Sequence, residues 1–229
     1  MSHLKANTLT SEVSALIRKE LLLEWRQKYA LNGLLLYIVS TVLVCYLSFN
    51  VTLGSTSPIT WNTLFWIIIL FTAVNAVSKS FSQEREGRQL YYYTLASPQG
   101  IIIAKILYNS LLLAVISLLG YLVYSVVLGN PVQDHTLFLV NILLGAIGFS
   151  CTLTMVAGIA AKAENNATLM AVLSFPVILP MLILIISISK NAMDGLHLSS
   201  SYDDMITLAA VDAIVVVLSL LLFPYLWRS

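Results

Sequence analysis

The chain has 229 residues, of which 59% are hydrophobic and only 10% charged, with a mean hydropathy of +0.88. A soluble domain carries about 25% charged residues, so a water-solvated surface is excluded and most of this surface must face lipid. The length allows one compact unit over 1–229. The net charge of +1 gives no electrostatic footprint for nucleic acid, and none is expected as a partner.

The N-terminal segment 10–29 is polar and begins with Thr10 and Ser11, either of which can cap a helix. Val13, Leu16, Ile17 and Leu21 form a loose apolar stripe, and Glu20–Glu24 and Glu24–Lys28 have i,i+4 spacing. Two readings stand: a helix lying along the cytoplasmic interface, or a plain extension of the first span. Eight charged residues precede the first apolar run near Ala30. That order does not match a cleavable signal, so the first span is expected to be retained.

Spanning a bilayer takes about 20 mostly apolar residues. Six segments qualify, at about 31–51, 59–78, 101–128, 137–161, 169–189 and 205–227. They are expected to be helices, because lipid offers no partner for backbone N–H and C=O groups. With the N-terminus placed in the cytoplasm, Lys5, Arg18, Lys19, Arg26, Lys28, Lys79, Arg85, Arg88, Lys105, Lys162 and Arg228 all fall at cytoplasmic ends, and only Lys190 lies outside. The positive-inside rule thus predicts both termini in the cytoplasm. Cys45 and Cys151 lie in apolar runs and read as small packing residues.

Between the second and third spans lies a polar island, 79–105, reading KSFSQEREGRQLYYYTLASPQGIIIAK. Gly87 interrupts its first part, residues 88–96 suffice for about two helical turns, and Ser97-Pro98 is expected to stop them. Glu84, Arg85, Glu86, Gly87, Arg88, Leu90, Tyr91, Tyr92, Tyr93, Ser97 and Pro98 are the candidate contact residues for a soluble motor, with Arg18, Glu20 and Arg26 supporting the same surface. The three tyrosines serve either as that contact or as interfacial anchors. No GxxxxGK[ST] loop is present, so ATP would be split by a partner. No catalytic arrangement and no metal-ligand cluster is visible, and no directly bound cofactor is expected.

Inside the spans, Pro176 and Pro180 share one face of the fifth and predict a kink or break near its middle, either a hinge or a static bend. Asp212 is an ionisable group in the sixth span, about seven residues from its outer end. It is functional by default, or else bonds a serine or backbone group at a helix contact. Gly145, Gly148 and Gly158 permit close helix approach in the fourth span. His135 and His197, both in outer loops, are either haem-type axial ligands or solvated loop residues.

The ordered set of sites resembles the CcmB family, membrane subunits of an ABC-type complex in cytochrome c maturation. It consists of Arg18-Lys19-Glu20-Leu21 with Arg26; Phe81, Glu84, Glu86, Gly87, Leu90, Leu95, Ser97, Pro98 and Ala104-Lys105; the glycine-bearing fourth span, the Lys162 loop and the Pro176/Pro180 pair; and Leu222-Phe223-Pro224. The family's loop usually has an acid where Tyr91 stands, and Asp212 has no family counterpart. The resemblance implies an all-α, ABC-2-like polytopic fold in a bacterial or organellar inner membrane. It implies a CcmA-type ATPase, CcmC- and CcmD-type membrane partners and the haem chaperone CcmE, with haem handled by the complex. The expected role is to couple ATP hydrolysis to release of haem-loaded CcmE. The alternatives are a permease that itself moves haem or another substrate, with Asn75, Asn109, Tyr121, Tyr124, Asn141 and Asp212 as path-lining groups; another ABC-2 exporter; and a non-transporting scaffold.

Overall fold

The computed structural model describes residues 9–27, 29–51, 56–82, 97–160 and 166–228. Its elements are α1 (Leu9–Gln27), α2 (Tyr29–Cys45), which continues as a π-helical turn over Tyr46–Val51, α3 (Pro58–Ser82), α4 (Pro98–Leu128), α5 (His135–Ala160), α6 (Asn166–Met193), a short 3-10 turn (Leu198–Ser201) and α7 (Tyr202–Arg228). No strand occurs among the described residues. Among the described residues six helices are long and apolar enough to cross a membrane: Leu31–Phe49, Pro58–Ser78, Pro98–Leu128, His135–Ala160, Val172–Met193 and Leu198–Tyr225.

The boundaries shift from the sequence reading for physical reasons. Ser97 has extended backbone and its Oγ accepts the Gly100 N–H at 3.1 Å, while Pro98 occupies the first helical turn. Ser97-Pro98 therefore opens α4, since a proline in the first turn sacrifices only an N–H that has no partner anyway. Residues 79–82 belong to α3 and 98–105 to α4, which trims the polar island 79–105, and the coupling loop expected at 79–100 within it, at both ends. Helix α6 runs without a break through Pro176 and Pro180, so of the expected kink or break the break does not occur.

Helix α5 is the most enclosed span. It packs against α3, α4, α6 and α7. Its small residues allow this. A Cβ built on Gly145 would lie 2.9 Å from the Trp66 ring, and one on Gly148 would lie 2.3 Å from Met181 Cε. Cys45 and Cys151 are buried free thiols within the packed interior.

Polar bonds fix the helix register inside this apolar packing. Trp66 Nε1 donates to Ser189 Oγ at 2.7 Å, and Asn141 Nδ2 donates to the same oxygen at 2.7 Å and to the Ile185 carbonyl at 2.8 Å. Asn62 Nδ2 donates to the Ile186 carbonyl at 3.1 Å. Helices α3, α5 and α6 are thus pinned together at one level. Beside them, Trp61, Phe65, Tyr121, Tyr124 and Phe138 form an aromatic cluster with ring centroids 4.7–6.5 Å apart. Interhelical hydrogen bonds in membranes are each worth roughly 0.6–2 kcal/mol. Asn141→Leu is expected to cost about 1–2 kcal/mol, measured as a lower denaturant midpoint in mixed micelles; an unchanged midpoint would show the pin to be energetically idle.

Candidate functional site

At 31 residues α4 is the longest helix. At 1.5 Å per residue it extends for about 46 Å, against about 30 Å of hydrocarbon. About ten of its residues exceed what a span requires. Its first three turns provide a surface for α1, which packs along them.

Three carboxylates of α1 meet three positions of α4 in matching order. The Glu12 carboxylate accepts the Ser97 backbone N–H through Oε1 and the Ser97 hydroxyl through Oε2, the latter at 3.1 Å. Glu20 Oε1 lies 4.0 Å from Lys105 Nζ, whose side chain is 3% exposed, and takes a 3.0 Å bond from Lys19. Glu24 Oε2 accepts the Tyr108 hydroxyl at 3.1 Å, while its Oε1 accepts the Leu31 N–H at 3.1 Å. The order 12, 20, 24 against 97, 105, 108 makes the two helices run parallel. Between the carboxylates, Leu16 packs against the cluster of Ile101, Ile102 and Ile106.

The tightest point is the first contact. Gly100 lies flush against it, since a Cβ there would sit 2.8 Å from Glu12 Oε1 and 2.9 Å from Ser97 Oγ. Ser97 Oγ–H donates to Glu12 while the same oxygen accepts from Gly100, so the cap of α4 and the tie to α1 share one hydroxyl. The downstream end of the polar island is thereby fastened to α1 at the residue where α4 begins.

Deeper along α4, Ser150 Oγ donates to the Ile106 carbonyl at 3.0 Å, and Asn109 Nδ2 donates to Thr154 Oγ1 at 2.9 Å. These two bonds join the α1–α4 pair to α5. A continuous set of bonded contacts therefore runs from Ser97 through α4 into the most enclosed helix.

Of the sequence candidates, Ser97, Pro98 and Glu20 fall in this assembly. Arg18 and Arg26 are on the exposed side of α1. Glu84, Arg85, Glu86, Gly87, Arg88, Leu90, Tyr91, Tyr92 and Tyr93 lie outside the described residues. Pro176 and Pro180 are both exposed on α6. Asp212 is 6% exposed, and its Oδ1 is buried with no hydrogen-bond partner. It rests against the Gly148 notch of α5, where a Cβ would lie 2.6 Å from that oxygen, and Oδ1 does not make the bond to a serine or backbone group that is one of its two readings. His135 is exposed beside Asn130 at 3.3 Å, and His197 is exposed ahead of the 3-10 turn.

Of the six polar residues of the alternative transport path, four are engaged separately, Asp212 Oδ1 has no partner, and one is exposed. Asn109 bonds Thr154, Tyr124 bonds the Trp61 carbonyl, Tyr121 accepts from Asn130, Asn141 bonds Ser189, and Asn75 is exposed. Sequence reasoning missed Glu12, Gly100 and Tyr108 as members of the site. One signal was present: Glu12, Glu20 and Glu24 are eight and four residues apart, which places them on one helix face. The same spacing fits contacts within α1, so it does not by itself point across to α4.

No curated protein matches the chain. The family described as CcmB protein matches residues 11–226, nearly the whole length. With six spanning helices and that match, the chain belongs to the CcmB family and is a multi-pass membrane component of the ABC system of haem export and cytochrome c maturation.

Proposed function

We propose that this chain is the mechanical coupler of its complex. It transmits ATP hydrolysis by a CcmA-type ATPase to release of the haem-loaded chaperone CcmE, and it binds no cofactor itself. The ATPase meets the island formed by Glu84, Arg85, Glu86, Gly87, Arg88, Leu90, Tyr91, Tyr92 and Tyr93, on the cytoplasmic side with both termini. The observation that carries this reading is the fastening of Ser97 to Glu12 at the start of α4. A loop pushed by a motor needs a stiff attachment to move a span, and a helix cap tied to a second helix provides one. The α4–α5 bonds at Ser150 and Asn109 continue the path inward. Pro176 and Pro180 remove two backbone donors from α6 and make it the most compliant span, a hinge through which motion reaches CcmC- and CcmD-type partners at the outer side.

The test is co-purification of the ATPase with the triple variant Tyr91→Ala, Tyr92→Ala, Tyr93→Ala in native membranes. Loss of most of the bound ATPase, with the variant still inserted, is expected. Undiminished ATPase binding and cytochrome c formation would overturn the assignment of the island.

A further inference from the structure

Helix α1 sorts its charges by face. Glu12, Glu20 and Glu24 all turn toward α4, or toward the start of the first span at Leu31, and Lys19 is bonded to Glu20. What remains facing outward is Arg18, Leu22 and Arg26, spaced four residues apart and so stacked one above another on the helix surface. Leu21 flanks them. Leu21 and Leu22 are 43% and 54% exposed, and both arginines are exposed. Neither arginine has an ion-pair partner among the described residues.

This stripe suits neither bulk water nor hydrocarbon. Two exposed leucines between two guanidinium groups match a boundary where phosphate lies beside acyl chain. The position agrees. Helix α1 ends at Gln27 and the first span begins at Leu31, whose N–H is held by Glu24. The C-terminal half of α1 therefore lies where the chain meets the membrane.

We propose that Arg18, Leu21, Leu22 and Arg26 form a docking stripe for anionic phospholipid headgroups. Charge complementarity selects the occupant. Because the three carboxylates of α1 are consumed on its inner face, the outer face is purely cationic. Guanidinium groups hold phosphate oxygens through paired N–H donors, and their aliphatic stems lie along apolar surface while the heads reach the headgroups. Leu21 and Leu22 lie between the two arginines and cover the apolar part of the bound lipid. The lipid would brace α1 from outside while α4 braces it from inside. The inference does not depend on which ATPase, if any, contacts the island.

The full-length chain, purified in detergent, is mixed with equal amounts of dioleoylphosphatidylglycerol and dioleoylphosphatidylcholine, and retained lipid is read by native mass spectrometry. Wild type is expected to retain the anionic lipid preferentially. Each basic residue near an anionic surface contributes about a fivefold factor, so Arg18→Gln with Arg26→Gln should cut that preference at least fivefold. Lys190→Gln, at the far end of α6, should leave it unchanged. Equal preference in wild type and the double variant would overturn the proposal. Should the double variant not fold, phenylglyoxal labelling of wild type in vesicles decides. Protection of Arg18 and Arg26 by phosphatidylglycerol, absent in pure phosphatidylcholine, supports the stripe. Equal labelling in both, or protection appearing only when ATPase is added, refutes it.

Discussion

Glu12→Ala is expected to reduce cytochrome c formation severely while leaving the protein inserted and its ATPase bound. The carboxylate holds Ser97 through two bonds, one from the backbone N–H and one from the hydroxyl at 3.1 Å. A hydrogen bond to a charged group contributes about 1.5–3 kcal/mol in favourable settings, and Glu12 is partly exposed, so the two bonds together are discounted to the lower end of that range. Losing about 1.5–2 kcal/mol of attachment raises the population of the detached loop end by about 10- to 30-fold. The helix cap itself survives, because Ser97 Oγ still accepts from Gly100. The membrane domain should therefore fold normally while ATP is spent without transmitted work. The measurement is the ratio of cytochrome c formed to ATP hydrolysed in reconstituted membranes, with a fall of about tenfold expected. Glu12→Gln retains one acceptor oxygen and should recover part of the ratio. Full coupling in Glu12→Ala would remove α1 from the transmission path and leave Ser97 as an ordinary cap.

The architecture was legible because hydropathy needs only composition along the chain. Six apolar runs gave six spanning helices, and their order survived unchanged. Details set by neighbours were less legible. The reading of Ser97-Pro98 as a stop concerns 88–96, outside the described residues, while the extended Ser97 backbone with its hydroxyl on the Gly100 N–H makes the pair the opening of α4. Pro176 and Pro180 predict a kink or a break, and within a membrane a full break would expose further backbone groups to lipid, which is costlier than two missing N–H donors. Helix α6 accordingly stays continuous. The pairing of Trp66 and Asn141 on Ser189 was invisible, since spans that are apolar on all sides carry no stripe to say which faces meet. Glu12 was hidden for the opposite reason. It sits in a charged helix where its partner, Ser97, is 85 residues away, and an acidic residue near a helix start already has a sufficient local explanation in the helix dipole.

Gly148→Val is expected to damage folding severely. A Cβ at this position lies 2.3 Å from Met181 Cε and 2.6 Å from Asp212 Oδ1, distances at which something must move. The Met181 thioether is flexible, and its tip can swing away from a single methyl group. Asp212 is harder to displace, because the residue is only 6% exposed and its short side chain has little room to turn. Overpacking a close-packed interior costs about 1–3 kcal/mol for a methyl group. The branched valine adds two more carbons to the same notch and is expected to exceed that range, separating α7 from α5. Gly148→Ala should lie in the lower part of the range, and Met181→Ala should restore much of its loss, because the two positions share one volume and their effects are not additive. Gly145 gives the contrasting case. Its neighbour Trp66 is pinned through Nε1 to Ser189, so no flexible tip can yield and Gly145→Ala should cost more than Gly148→Ala. The readouts are the amount of inserted protein and the thermal aggregation midpoint of the purified chain. A Gly148→Val protein that accumulates and melts like wild type would mean that α5 and α7 do not approach at this point, and that Asp212 has some other neighbour.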